Sequence, residues 1–568
     1  MTARCLADFR RTAAVPLSIL LGLILAAGIP TIGRAALVVP AQAASGSSAT
    51  AVDPPVPVEG AAFASLGEIK HASGLICGPT QGPASDAGNV NTDCEESLGN
   101  VAPHNETAIA INPTNPDNLI GGANDYQILL TNGELKITLL DRAHVSFDGG
   151  ASWAMYAVPF RSYAFTGDPA VAFDADGTAY YSMLGIPISQ AFSPETNADV
   201  LVSHSQDGGK TWAGPIRVAQ GVGSNVSASK AREDKEYITA WGHGNALVVW
   251  TNVVQGPHGS FISFPLFDAI THDGGVTWTA PTAISGSADF CVGSSGGDAC
   301  DMDLAAVPIY SAGHIYVAFE NFTNASDGHD QYLVSELSPQ TGGLVAGPFQ
   351  VAQLVDGNDA YPLNVLGRQT YQDSNFRTWS LGNISSDPTN ETHLAVVWSD
   401  MRNSTVPLPD LNPYDVTTNS DVVVSQSFDG GRSWSAAIAL TIPNDQFMPW
   451  GAYDSRGLLR IGYFDRSYDA ANHKFGYSLA TETAASSLTF ISEQLTTQLS
   501  DPTTGDLWFS FFPVNPGFPH ATFFLGDYSG IAAGPNGGVV AFWTDLRNVA
   551  TFAGRSRFGE DAFFASAR

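Results

Sequence analysis

From Asn105 onward the chain is a succession of short apolar runs, each cut off by a cluster of Gly, Asp and Asn. Gly167-Asp168-Pro169 leads into the run Ala170–Phe173, the turn Asp174-Ala175-Asp176-Gly177 follows, and a second run spans Thr178–Leu184. Runs this short, rich in Val, Tyr and Phe and bounded by turn formers, predict strands rather than helices. A third strand is expected at Val200–His204 and a fourth at Pro215–Ala219, which makes one four-stranded antiparallel unit. The opening pair of strands recurs near Glu106, Asp168, Asp234, Met302, Thr378, Gln446 and Gly526.

The link between third and fourth strands carries its own signature. It reads Ser146-Phe147-Asp148-Gly149-Gly150-Ala151-Ser152-Trp153, and returns around Asp207, Asp273 and Asp429 as S/T-x-D-G-G-x-S/T-W. The Asp side chain accepts backbone N–H groups of its own turn, the Gly pair supplies positive φ, and the Trp is an apolar plug. Asp148, Asp207, Asp273 and Asp429 are therefore read as structural. The fourth unit replaces the turn by Ser338-Pro339-Gln340-Thr341-Gly342-Gly343, and the sixth keeps only a faint echo near Thr481–Phe490. The last unit stops at its third strand, Asp561–Ala567, and a segment near Ala61–His71 is expected to add the fourth and close a ring. The reading is an all-β β-propeller of four-stranded antiparallel blades, seven in number with six as the alternative, over residues 104–568.

Composition changes this picture in three places. The net charge of −30 disfavours nucleic acid as a partner. Residues 1–43 read as a signal peptide, with Arg4, Arg10 and Arg11 before an apolar run and Ala41-Gln42-Ala43 as the cleavage site. A linker and Cys-containing segment (44–103) follows, no later stretch is long and apolar enough to span a membrane, and a secreted or cell-surface monomer is expected. Four cysteines then remain, Cys77, Cys94, Cys291 and Cys300. An even number in an exported chain implies two disulfides, 77–94 and 291–300, although three pairings are open.

The repeated turns resemble the Asp-boxes, or BNR repeats, of the sialidase superfamily, from Asn105 to Arg568. Asn105-Glu106-Thr107, Gly121-Gly122-Ala123-Asn124-Asp125, Asp234-Lys235-Glu236 and Phe524-Leu525-Gly526-Asp527-Tyr528 are similar to exported bacterial sialidase-like proteins. The resemblance implies that the boxes lie away from the active site, at the opposite face from the loops before first strands and after second strands. It implies an exo-glycosidase acting on terminal, acidic sugars, with a glycan or glycoconjugate as partner; the alternative is a non-catalytic glycan- or protein-binding propeller. By the same resemblance Tyr528 is the nucleophile, Glu236 its partner and Asp168 the acid/base, with Asp527 at the substrate. The repeated pattern of an aromatic residue, Asp and Arg after second strands offers Arg402, Arg466 and Arg547 as holders of a substrate carboxylate. The other reading of these arginines is a set of ion pairs with acidic neighbours that lock the blades. The early Arg-Ile-Pro motif of sialidases has no counterpart here. No cofactor is expected and no metal-ligating motif is present, though the mouth carboxylates are suited to Ca²⁺.

Overall fold

The computed structural model describes residues 62–63, 74–80, 88–95 and 101–567, except 132–133, 188–196, 222–229, 256–260, 323–328, 358–359, 365–367, 405–412, 415, 503–523 and 553–554. The expected signal peptide and residues 44–60 lie outside the described residues. Seven antiparallel sheets follow one another along the chain, and each has the strand order of a propeller blade. Blade one comprises His104–Ile111, Leu119–Thr131, Glu134–Ser146 and Ala154–Ala157; blade two, Tyr163–Phe173, Ala179–Pro187, Asp199–Ser205 and Ala213–Ala219. Blade three holds Lys230–Trp241, Asn245–Gln255, Leu266–Thr271 and Thr282–Ala283; blade four, Asp303–Ser311, His314–Asn321, Gln331–Ser338 and Gly342–Gln353. Blade five holds Asn383–Ser386, Leu394–Asp400, Asp421–Ser427 and Ile438–Ala439; blade six, Gln446–Tyr453, Leu459–Asp465, Gly476–Glu482 and Phe490–Gln494. Blade seven is Gly530–Ala533, Val539–Asp545 and Asp561–Ala567, completed by Val90–Asn91.

The closing strand corrects the expectation placed on Ala61–His71. Of that stretch, Ala62–Phe63 is described, and it pairs in parallel with Lys136–Ile137 in blade one. Val90 and Asn91 instead pair with Phe564 and Phe563. The Cys77–Cys94 disulfide explains the arrangement: it joins Gly74–Cys77, which lies along the outer strand of blade one, to the segment that closes blade seven. The second disulfide joins Cys291 and Cys300. No helix among the described residues is long and apolar enough to cross a membrane.

Blades pack face to face, so both faces of a strand are buried. In blade five Leu394, Val396 and Trp398 pack on Tyr316, Tyr332 and Val334 of blade four, whereas Ala395 and Val397 pack on Leu459, Ile461 and Tyr463 of blade six. That period of two is what a strand with two buried faces requires. The D-G-G turns hold the outer ends. Asp148 Oδ1 accepts the Ser146 hydroxyl (2.9 Å) and the Ser152 N–H (2.8 Å), Oδ2 accepts the Ser152 hydroxyl (2.6 Å), and Trp153 Nε1 donates to the Gly150 carbonyl (3.1 Å). The same bonds form around Asp207, Asp273 and Asp429. Gly150 has φ 91°, and a Cβ there would come within 2.1 Å of the Phe564 ring.

Candidate functional site

The first strands of the blades line the axis, and five of them carry the same irregularity. Pairing slips between Asn105 and Ala108, Gly167 and Ala170, Asp234 and Tyr237, Leu304 and Val307, and Phe447 and Trp450. Inside each slip one non-glycine residue takes positive φ: Glu106 (53°), Asp168 (58°), Lys235 (51°), Ala305 (54°) and Met448 (49°). Such a conformation costs on the order of 1–3 kcal/mol per residue, and a bulge re-aims the side chain it carries. In blades one to three the re-aimed residue is charged, and the three meet. Lys235 Nζ lies 3.3 Å from Glu106 Oε1 and 2.9 Å from Asp168 Oδ2.

A fourth member arrives from the far end of the chain. Asp527 Oδ2 lies 2.7 Å from Lys235 Nζ. It follows Gly526, whose φ is 95° and where a Cβ would strike the Glu106 backbone nitrogen at 2.7 Å, so only glycine brings the strand this close. Arg377 grips Asp527 with two bonds, Nε to Oδ1 at 2.8 Å and Nη2 to Oδ2. Asn124 orders the group from below, donating to Glu106 Oε2 (2.6 Å) and accepting the Asp168 N–H (2.8 Å).

Burial sharpens the electrostatics. Burial and the charge of Asp168 push the Glu106 carboxyl well above the usual range, against the pull of Lys235. Burial opposes the charge of Asp527 too, yet Arg377 and Lys235 hold it below the usual range. Lys235 is raised despite its burial by Asp168, Asp527 and Glu106. Three arginines share the site. Burial lowers Arg232, with Asp234 pulling the other way, and its Nε has no hydrogen-bond partner. Arg368 falls to about 9 through burial and the like charge of Arg377, offset by Asp527, with Arg232 adding to the fall. Glu106, Asp168, Arg232, Lys235, Arg377 and Phe524 are among the residues lining a cavity partly open to solvent.

Of the residues expected from sequence, Asp168 and Asp527 meet in this cluster. Glu236 is buried nearby, raised by burial and then by Asp168, and neither carboxyl oxygen has a hydrogen-bond partner. Tyr528 is half-buried, with Tyr237 and Trp450 around its ring. Its hydroxyl donates to the Pro169 carbonyl (3.3 Å), and burial, then Glu106, Asp168 and Glu236, raise its pKa.

Arg402, Arg466 and Arg547 are not brought together, which corrects the expectation that they converge on one carboxylate. Arg402 is gripped by Asp400 (2.6 Å) and Arg547 by Asp545 (2.7 Å). Each of these Asp residues also accepts the indole N–H of the Trp two residues earlier, Trp398 or Trp543. The spacing Trp-x-Asp-x-Arg is thus a latch closed within its own blade. Arg466 is fully buried on Asp445 (3.3 Å), the Ser374 hydroxyl and the carbonyls of Gln372 and Asn472. None of the three lines the cavity.

The residues that sequence reasoning did not assign to the site are Glu106, Lys235, Arg232, Arg368 and Arg377. Arg232 directly precedes the acidic run Glu233-Asp234-Lys235-Glu236, and this proximity was the one available signal. Arg368 and Arg377 lie in the connection between blades four and five, which has no strand period to read.

The architecture and the site define a seven-bladed propeller with a buried, charge-dense axial mouth. No family model matches the sequence, and no curated protein matches it. Solved structures similar to the chain include a protein of unknown function from Dyadobacter fermentans, at 12% identity and TM-score 0.38, covering 70% of this chain and 94% of that one. The NanB sialidase of Streptococcus pneumoniae aligns at 10% identity and TM-score 0.38, covering 79% and 83%. The α-L-arabinofuranosidase Arb93A of Fusarium graminearum aligns at 10% and 0.36, covering 69% and 91%. Likeness at this level carries no weight for activity.

Proposed function

We propose that the protein is an exported, sialidase-like propeller whose axial mouth takes the carboxylate of a terminal acidic sugar and hydrolyses its glycosidic bond. The observation that carries the reading is the gathering of three arginines: Arg232 and Arg377 line the cavity, and Arg368 lies within reach of the charge of both. A carboxylate placed among them would supply an acceptor for the Arg232 Nε, which has no hydrogen-bond partner. Glu106, whose carboxyl is pushed above the usual range by burial and by Asp168, would supply a proton to the leaving oxygen, with Asp168 as its acid/base partner. The sequence resemblance to sialidases agrees with an acidic sugar. The two disulfides agree with an oxidising compartment.

A second reading, retention of the glycan without hydrolysis, is favoured by Tyr528. A nucleophile must shed its proton, whereas this hydroxyl is bonded to a carbonyl and its pKa is raised by burial and then by its acidic neighbours. One experiment separates the readings: turnover and equilibrium binding of sialosides, uronosides and their neutral counterparts by wild type, Arg232→Met and Tyr528→Phe. The proposal expects Arg232→Met to weaken carboxylate-bearing ligands at least tenfold and neutral ones little. Binding without turnover moves the protein to the second reading. Equal affinity of Arg232→Met and wild type for the acidic ligands refutes both.

A further inference from the structure

Away from the axis, at the junction of blades four and five, three acidic side chains converge. Glu320 closes the second strand of blade four, Asp330 precedes its third strand, and Asp356 follows its fourth. One carboxylate oxygen from each lies within 4.8 Å of the others. Glu320 is 2% exposed, and its Oε2 is buried with no hydrogen-bond partner. Ser380, just ahead of blade five, is fully buried; its hydroxyl has no well-formed hydrogen bond, yet it lies close enough to lower Asp356.

The charges that act on Glu320 and Asp356 are of one sign. Burial raises Glu320, and Asp356 raises it further. Asp356 is raised to about 6 by burial, with Asp400 adding to the rise. Arg402 brings no relief, because its charge is already matched by Asp400. The contrast is with the buried group around His104, where Asp93, Glu95 and Asp125 have His104 and Arg142 among them. There the cations are built in; beside Glu320 a cation has to be supplied. Buried carboxylates that share a site without a cation take up protons or bind one.

We propose that Glu320, Asp330 and Asp356, with the Ser380 hydroxyl, form a calcium site that clamps blade four to blade five. The donor set is oxygen alone, which selects a hard cation over zinc or copper. Mg²⁺ keeps most of its water and suits a cage of protein carboxylates poorly, whereas Ca²⁺ accepts several mono- or bidentate carboxylates.

The site has a structural consequence. The connection from Gln353 to Asn383 leaves blade four at Asp356 and reaches blade five past Ser380, so one ion would hold both of its ends. Arg368 and Arg377 lie between those ends. Calcium would then fix the segment that carries Arg368 and delivers Arg377 to the cavity. This consequence rests on the reading of the cavity given above, whereas the ion site itself does not.

The test uses the full chain without any sugar. Protein stripped with EDTA is titrated with CaCl₂ alone while its thermal midpoint is followed. In parallel, Tb³⁺ is titrated and its luminescence excited through Tyr332 and Tyr361, which feel the charges of Glu320 and Asp356 respectively. The expected result is a midpoint that climbs with Ca²⁺ and a Tb³⁺ signal that Ca²⁺ displaces. Glu320→Gln and Asp356→Asn should each weaken both by at least 100-fold. In EDTA the two variants should melt no lower than wild type, because each removes a like charge; the partly exposed Asp330→Asn serves if either fails to fold. A midpoint indifferent to Ca²⁺ overturns the proposal. So does a Ca²⁺ response of unchanged affinity in all the variants, which would place the ion elsewhere.

Discussion

Replacing Glu106 by Gln isolates one buried proton. The amide keeps the shape of the carboxyl, so its oxygen still meets Asn124 or Lys235, at 2.6 and 3.3 Å in the parent, while its NH₂ takes the place of the acid proton. What it loses is the ability to ionise. In the unfolded chain a Glu gives up its proton near pH ~4.3. In the folded protein burial and Asp168 keep that proton on Glu106 to well above this value. The folded state therefore binds more protons than the unfolded one over that interval, and wild-type stability must fall as pH rises through it. The slope is about 1.4 kcal/mol per pH unit for one proton, from the unfolded pKa until the folded one is reached. Glu106→Gln has no such proton. Its unfolding free energy relative to wild type should rise by about 1.4 kcal/mol per pH unit from the unfolded pKa until the folded one is reached. The assay is urea unfolding of both proteins at several pH values in one buffer series. Taking the difference cancels every group the two proteins share. A difference that stays flat across the interval would mean that Glu106 is ionised in the folded state, and the account of the charge cluster would be wrong.

Three further outcomes follow from particular contacts. Asp527→Asn leaves Lys235 and Arg377 without their shared carboxylate, a buried-pair loss of about 3–5 kcal/mol in urea unfolding. Because Asp527 is depressed, this stabilisation exists above the unfolded carboxylate pKa and fades as acid approaches the folded value, so variant and wild type should converge at low pH. Arg402→Met opens a latch whose Asp400 is fully buried while the Arg side chain is 19% exposed, and should cost about 2 kcal/mol with the affinity for acidic sugars unchanged. A loss of sugar affinity instead would restore Arg402 as a ligand-holding residue. Asp429→Ala removes the acceptor for the Ser427 and Ser433 hydroxyls in an exposed turn, costing about 1 kcal/mol by thermal unfolding with activity intact.

The sequence by itself determined the ring. Strand period, the four D-G-G turns and the count of opening strand pairs are local properties, and each depends on residues a few positions apart. The turn around Asp148 is closed from Ser146 to Trp153 by its own side chains, with the Gly149 N–H also donating to the Asp117 carbonyl. For the same reason both disulfides were legible, since each joins near neighbours in sequence. The tertiary structure decided what depends on meetings between distant parts. The closing strand proved to be Val90–Asn91 because a disulfide and the edge of Asp561–Ala567, not local pattern, choose it. Sequence pointed to Arg402, Arg466 and Arg547 because they repeat with the blades, yet repetition is the mark of a part that serves the blade. Arg232 and Arg377 at the cavity, and Arg368 beside Arg377, do not repeat; two of them come from an irregular connection, and only folding brings them near Glu106, Asp168 and Asp527. A scaffold is written in short-range pattern, whereas a charged site is assembled from residues hundreds of positions apart, whose common location no local rule contains.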